Sequence, residues 1–160
     1  MTTLIVYSSQ TGNTRKLAET LRNCWPGETE MAPVDEAPQP QGYDCVAVGF
    51  WLQAGQPDPK AAAYLQKIGR TPLFLFATHG AAADSDHARN AMDAARALAP
   101  EAEILGTFNC PGEVAPKVME KIRAKNQPPP WIGDAPAAAA HPDARDLENL
   151  CQVVRGLALP

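Results

Sequence analysis

The sequence predicts an α/β fold in which a parallel sheet is covered by helices on both faces. Three observations point there. Apolar, β-rich runs alternate with amphipathic segments along the chain. The runs are apolar on successive residues, as in strands buried on both faces. At 160 residues the chain suits one domain, residues 1–160, burying roughly 70% of its unfolded surface.

The elements follow in order. "TTLIVYS" (Thr2–Ser8) predicts a buried strand, and "TRKLAETLRNCW" a helix with Leu17, Leu21, Cys24 and Trp25 on one side. "ETEMAPV" has room only for a short edge strand, and "DEAPQPQGYD" reads as loop. "DCVAVGFW" (Asp44–Trp51) is the second buried strand. Ala61, Tyr64, Leu65 and Ile68 then mark the stripe of a helix that begins near Pro57. "PLFLFAT" (Pro72–Thr78) predicts the next strand. "DSDHARNAMDAARALA" predicts a helix with capping residues at its start. "EILGTFN" (Glu103–Asn109) is the last strand, and Leu147, Leu150, Cys151 and Val154 mark the final helix. The alternation breaks over about 112–140. There "VAPKVMEKIRAKN" predicts an extra short helix, and "QPPPWIGDAPAAAA" reads as irregular surface chain.

Composition removes several function classes. A formal net charge of −4 argues against general affinity for nucleic acid or anionic lipid. No apolar stretch approaches the roughly 18 residues of a membrane span, and the amino terminus lacks a signal-peptide layout. Cys24, Cys45, Cys110 and Cys151 form no Cys-x-x-Cys pair. Four buried, reduced thiols in a cytoplasmic protein are expected.

In an open parallel sheet, ligands bind at the carboxyl ends of the strands. Three segments converge there: Ser9–Thr14, Gly49–Gly55 and Thr78–Gly80. In "SSQTGNT", Gly12 permits a tight turn, and the next residues open a helix whose first N–H groups lack intrahelical partners. Hydroxyls of Ser9, Thr11 and Thr14 and the Asn13 amide surround the same point. This is a phosphate site built from dipoles rather than formal charge. A Walker loop needs a lysine, and a dinucleotide fingerprint needs three spaced glycines; this loop has neither. His79, Asp84, Asp86 and His87 start a helix more economically than they hold a metal, so no metal site is assigned. The Gly-x-Ser-x-Gly turn of a hydrolase is absent, as is the acidic strand-end cluster of a receiver domain, and no catalytic residue is assigned.

"SSQTGNT" resembles the flavodoxin phosphate loop, Ser/Thr-x-Thr-Gly-x-Thr, with Ser9, Thr11, Gly12 and Thr14 at the matching positions. The element order agrees, and the resemblance covers nearly the whole chain. It implies a flavodoxin-like three-layer α/β/α sandwich, with a five-stranded parallel sheet in the order 2-1-3-4-5. It also implies flavin mononucleotide, FMN, with its phosphate held by Ser9, Gln10, Thr11, Gly12, Asn13 and Thr14. The isoalloxazine ring is then expected against Phe50, Trp51, Leu52 and Gly55 from the second loop and Thr78, His79 and Gly80 from the third. "GFWLQAGQPD" and "FATHGAAADSDHA" look most like small flavodoxin-like proteins. The third loop has no tyrosine or tryptophan, so Trp51 is the stacking residue, and the other ring face meets His79 or stays open.

Gly55 and Gly80 are candidates for a peptide that turns its carbonyl toward the ring, and Asp58 and Asp84 for carboxylates that lower the flavin potential. His79 is a ring donor or proton shuttle, or else a solvent-exposed loop histidine. The leading expectation is an electron carrier between a reductase and an acceptor protein, working as a monomer or weak dimer in the cytoplasm. The alternative is an FMN-dependent oxidoreductase acting on a small planar substrate such as a quinone or tetrapyrrole, with Gly112–Ala140 and Trp131 shaping the pocket.

Overall fold

The computed structural model describes residues 1–160. Its elements are β1 (Thr2–Tyr7), α1 (Asn13–Cys24), β2 (Glu28–Pro33), β3 (Cys45–Gln53), β4 (Gln56–Pro57) and α2 (Pro59–Leu65). Then come β5 (Leu73–His79), α3 (Asp86–Leu98), β6 (Ile104–Pro111), α4 (Pro116–Arg123), α5 (Ala135–Ala138) and α6 (Ala144–Arg155). The sheet order is β2-β1-β3-β5-β6, all parallel. With the two-residue β4 left out of the count, that is the expected 2-1-3-4-5.

Strand alternation builds the three layers. Leu4, Val6, Val46, Val48, Phe50, Leu73, Leu75 and Ala77 face α2 and α3, with Tyr64, Leu65 and Met92 packed on them. Ile5, Ala47, Phe74 and Phe76 face the other way, against Leu17 and Leu21 of α1 and Leu150 and Val154 of α6. The sequence is apolar on successive residues because both of these faces are covered. Gly49 makes room on the second face: a Cβ there would lie 2.1 Å from the Phe76 ring.

The β3–β4 hairpin was not expected. Leu52 pairs with Pro57 and Gln53 with Gln56. Ala54 and Gly55 form the two-residue turn, at φ 51 and 74. Such turns match the twist of the strands, but both central residues must take positive φ. The inserted segment is more ordered than its composition suggested. After α4 the chain forms a 3-10 turn at Pro130–Asp134 and a single turn of helix, α5.

The cysteines need a correction. Cys24 and Cys151 form a disulfide that ties the end of α1 to α6, so only Cys45 and Cys110 are free thiols. Both of these are buried, and burial pushes both thiols up from their usual range. The pairing depends on two helices meeting side by side on one sheet face, which spacing in the sequence does not reveal.

Candidate functional site

A cavity of about 920 Å³ opens at the carboxyl ends of β1, β3 and β5. It lies where β1, with β2 on one side and β3 on the other, sets the reversal of strand order. Ser9, Gln10, Thr11, Asn13 and Thr14 line one part of it. Trp51, Leu52 and Gly55 line a second part, and Thr78, His79 and Gly80 a third.

The first loop turns at Gly12, which has φ 93 and whose N–H donates to Ser9 Oγ at 3.1 Å. α1 then starts with no side-chain cap and no acidic residue in its first turn. By contrast, α2, α3 and α6 are capped by Asp58, Ser85 and Asp143. The first N–H groups of α1 have no intrahelical partner, and the positive end of its dipole faces the cavity wall. Thr14 is buried, and its hydroxyl shares a 2.9 Å hydrogen bond with that of Thr78. The Asn13 amide does not close round this point as expected. It donates to the Glu113 carbonyl at 3.0 Å and so fastens the inserted segment to the loop.

The second loop separates two aromatic residues that adjoin in sequence. Phe50 is fully buried with Val46 and Val48 in the α2–α3 core and is not part of the cavity wall, which corrects its assignment to the ring site. Trp51, at the end of the parallel pairing with β5, remains half-buried on the wall. Behind it, Asp58 is not a solvated carboxylate. It is buried, accepts from the Ser8 hydroxyl at 2.7 Å and from Ala61 N at 3.2 Å, and leaves Oδ2 without a partner. Asp58 and Trp51 both border a smaller adjoining cavity of about 450 Å³. Asp84 stays exposed, its carbonyl accepting from Arg89.

The third loop departs furthest from expectation. His79 is buried rather than solvent-exposed, and both ring nitrogens are engaged. Nδ1 accepts from Ala81 N at 3.2 Å, so Nε2 carries the proton and donates to Asn109 Oδ1 at 2.9 Å. Burial lowers its pKa from 6.5, against a raising influence from the Asn109 bond, and nearby His87 lowers it further. Bonds at both nitrogens fix the ring on the cavity wall. Gly80 also seats the inserted segment: a Cβ there would lie 2.6 Å from Val114 Cγ2 and 2.7 Å from Trp131 Cζ3.

Trp131, expected to shape a substrate pocket under the oxidoreductase alternative and not among the residues expected at the flavin ring, lies on the cavity wall. It lines the same cavity as Trp51 and packs against His87, ring centroids 5.7 Å apart. Gly80 and Gly112 let the inserted segment lie close against the strand-end loops. A Cβ on Gly112 would meet Asn13 Nδ2 at 2.8 Å, and Gly112 N donates to the His79 carbonyl at 2.8 Å.

A parallel sheet with helices on both faces, a dipole-lined loop after β1 and a large cavity at the strand ends define a flavodoxin-like protein. The Flavodoxin domain family matches residues 4–155, so the chain belongs to that family. It is 27% identical over 171 residues to the Clostridioides difficile (strain CD3) flavodoxin-like domain-containing protein BilS, covering 99% of this chain and 97% of that one. Among solved structures, a Streptococcus pneumonia TIGR4 flavodoxin has a TM-score of 0.64 at 12% identity, covering 97% of this chain and 96% of that one. A Lactobacillus acidophilus NCFM flavoprotein, solved in complex with FMN, has a TM-score of 0.57 at 18% identity. That match covers 68% of this chain and 92% of the other. At such identities the structural matches establish the fold, one that holds FMN in a solved relative.

Proposed function

We propose that this protein binds FMN and passes electrons between a reductase and an acceptor protein. The observation that carries the reading is the uncapped start of α1. Unpartnered N–H groups and the Ser9 and Thr11 hydroxyls meet there at the cavity wall, with no carboxylate in the helix's first turn. That donor set suits a phosphate monoester, which gains from the oriented dipoles of the helix start. Trp51, Leu52, Gly55 and Thr78–Gly80 supply the walls for a flat ring. FMN, when bound, supplies reversible one- and two-electron chemistry.

The chain's own residues set the conditions for it. Trp51 covers a ring face and keeps water from it. The buried Asp58 lines the smaller adjoining cavity on which Trp51 also borders, and a carboxylate there opposes added negative charge nearby. Docking to partner proteins is then brief and uses the exposed rim of the cavity. No helix is long and apolar enough to cross a membrane. A monomer or weak dimer in the cytoplasm belongs to this reading, with the Cys24–Cys151 pair open to reduction there.

A second reading has one observation in its favour. The cavity extends past the three strand-end loops to Trp131 and α4, which leaves space for a planar substrate, such as a quinone or tetrapyrrole, beside the flavin. Steady NAD(P)H turnover with a quinone and no added reductase would favour this oxidoreductase over the carrier.

The direct experiment is FMN content. The purified protein should be yellow with about one FMN per chain, and T11A/T14A should lose FMN at least tenfold more readily, since hydrogen bonds to a charged group are worth about 1.5–3 kcal/mol each. Asp143→Ala, which removes the α6 cap far along the chain, should retain FMN normally. A colourless protein that ignores added FMN would overturn the proposal.

A further inference from the structure

The inserted helix turns an odd face to the cavity. Val118, Lys121 and Ile122 stand at i, i+3 and i+4 on α4, and Lys125 follows at i+7 just past its end; all four line the cavity wall. On the rest of α4 only Met119 is buried. An amphipathic helix ordinarily lays its apolar stripe on a core. Here the stripe holds two apolar and two cationic side chains and looks into space.

Neither lysine has an ion-pair partner. The cavity wall carries one carboxylate, Glu113, against these two cations, while the protein as a whole is acidic, at −4. A local positive field on an acidic protein selects for anions. The volume points the same way. About 920 Å³ lies near the top of the range that single small molecules fill, roughly 300–1,000 Å³. The loops assigned to FMN make up only part of the wall. Most of the remainder, from Gly112 to Trp131, comes from the inserted segment.

We propose that the α4 face is a second ligand site, which takes a flat organic anion beside the FMN. Lys121 and Lys125 pair with its acidic group, while Ile122 and the indole of Trp131 cover its apolar surface. The inference rests on the FMN reading and adds the charge and shape of the second ligand. It also gives the inserted segment a purpose: the segment shapes and charges a compartment that the strand-end loops leave open.

The test uses the FMN-loaded protein and two probes that share a ring system, anthraquinone-2-sulfonate and neutral 2-(hydroxymethyl)anthraquinone. Binding is read as a perturbation of the flavin visible band and quenching of its fluorescence. The sulfonate should bind about tenfold more tightly than the alcohol, and K121Q/K125Q should erase that difference while leaving FMN content unchanged. K121R/K125R should keep it, and added salt should shrink it. Equal binding of both probes, or none of either, by protein carrying one FMN per chain would overturn this inference and leave the cofactor reading standing. Loss of FMN in K121Q/K125Q would also overturn it, by giving the lysines to the cofactor. So would unchanged sulfonate binding together with slower reduction by a protein donor, which would make the face a docking surface. A protein that takes up no FMN removes the cofactor reading and this inference together.

Discussion

The Asn13 side-chain amide donates to the Glu113 carbonyl at 3.0 Å, joining the loop after β1 to chain one hundred residues further on. One hydrogen bond thus couples the proposed phosphate loop to the segment that closes the far side of the cavity. Gly112 permits the approach, because any side chain there would collide with the same amide.

Asn13→Ala should loosen that segment without unfolding the sheet. We expect a loss of about 1 kcal/mol, the usual worth of one such bond. Hydrogen exchange over residues 112–134 should quicken, and FMN retention should fall less than in T11A/T14A. Unchanged exchange would mean that the remaining contacts, such as Asp134 Oδ2 accepting from Ala82 N, hold the segment alone.

Gly80→Ala should displace Trp131. Its new methyl would lie 2.6–2.7 Å from Val114 and Trp131, too close for both to stay, and such overpacking costs about 1–3 kcal/mol. Trp131 fluorescence should shift red as the indole moves into water. In a Trp131→Ala background the same substitution should cost clearly less, because one of the two colliding groups is gone.

His79 makes stability depend on pH. Burial holds its pKa below 6.5, so below that value the unfolded chain takes up a proton that the folded chain still refuses. Its contribution is therefore fully present above 6.5 and is lost as pH falls from there through the folded pKa. Burial lowers the His87 pKa too, which adds in the same direction. Thermal melts between neutral pH and about pH 5 should show a falling midpoint, and His79→Gln should flatten part of that fall. An unchanged slope in the variant would remove His79 as its source.

The Cys24–Cys151 bond closes a loop with a sequence separation of 127. A crosslink over so long a loop restricts the unfolded chain strongly, and native bonds of this kind are worth about 2–4 kcal/mol. Treatment with a thiol reductant should lower the melting midpoint while leaving the far-ultraviolet circular dichroism at 25 °C close to unchanged. Identical melts with and without reductant would show that the two sulfurs are not joined in solution.

Much of the fold was legible because its determinants are local. β1, β3 and β5 announce themselves through successive apolar residues, and the Asp86–Leu98 helix through its stripe and the Ser85 cap. The loop Ser9–Thr14 was legible for the same reason: a glycine turn and a helix start are properties of adjacent residues. The β4 hairpin escaped notice because "QAGQ" carries Ala54, not asparagine or aspartate, at the first positive-φ position.

By itself, the sequence determined the strand–helix alternation, the sheet order through its family resemblance, and the neutral donors at the end of β1. Tertiary structure decided how neighbours in sequence part company. Pleating sends Phe50 into the core and leaves Trp51 on the cavity wall, and burial makes His79 a hydrogen-bonded strut instead of a loop donor. It also brought Trp131, Lys121 and Lys125 to the site and joined Cys24 to Cys151. Those outcomes depend on contacts between segments tens of residues apart, where the partner, and not the local pattern, sets the environment of each side chain.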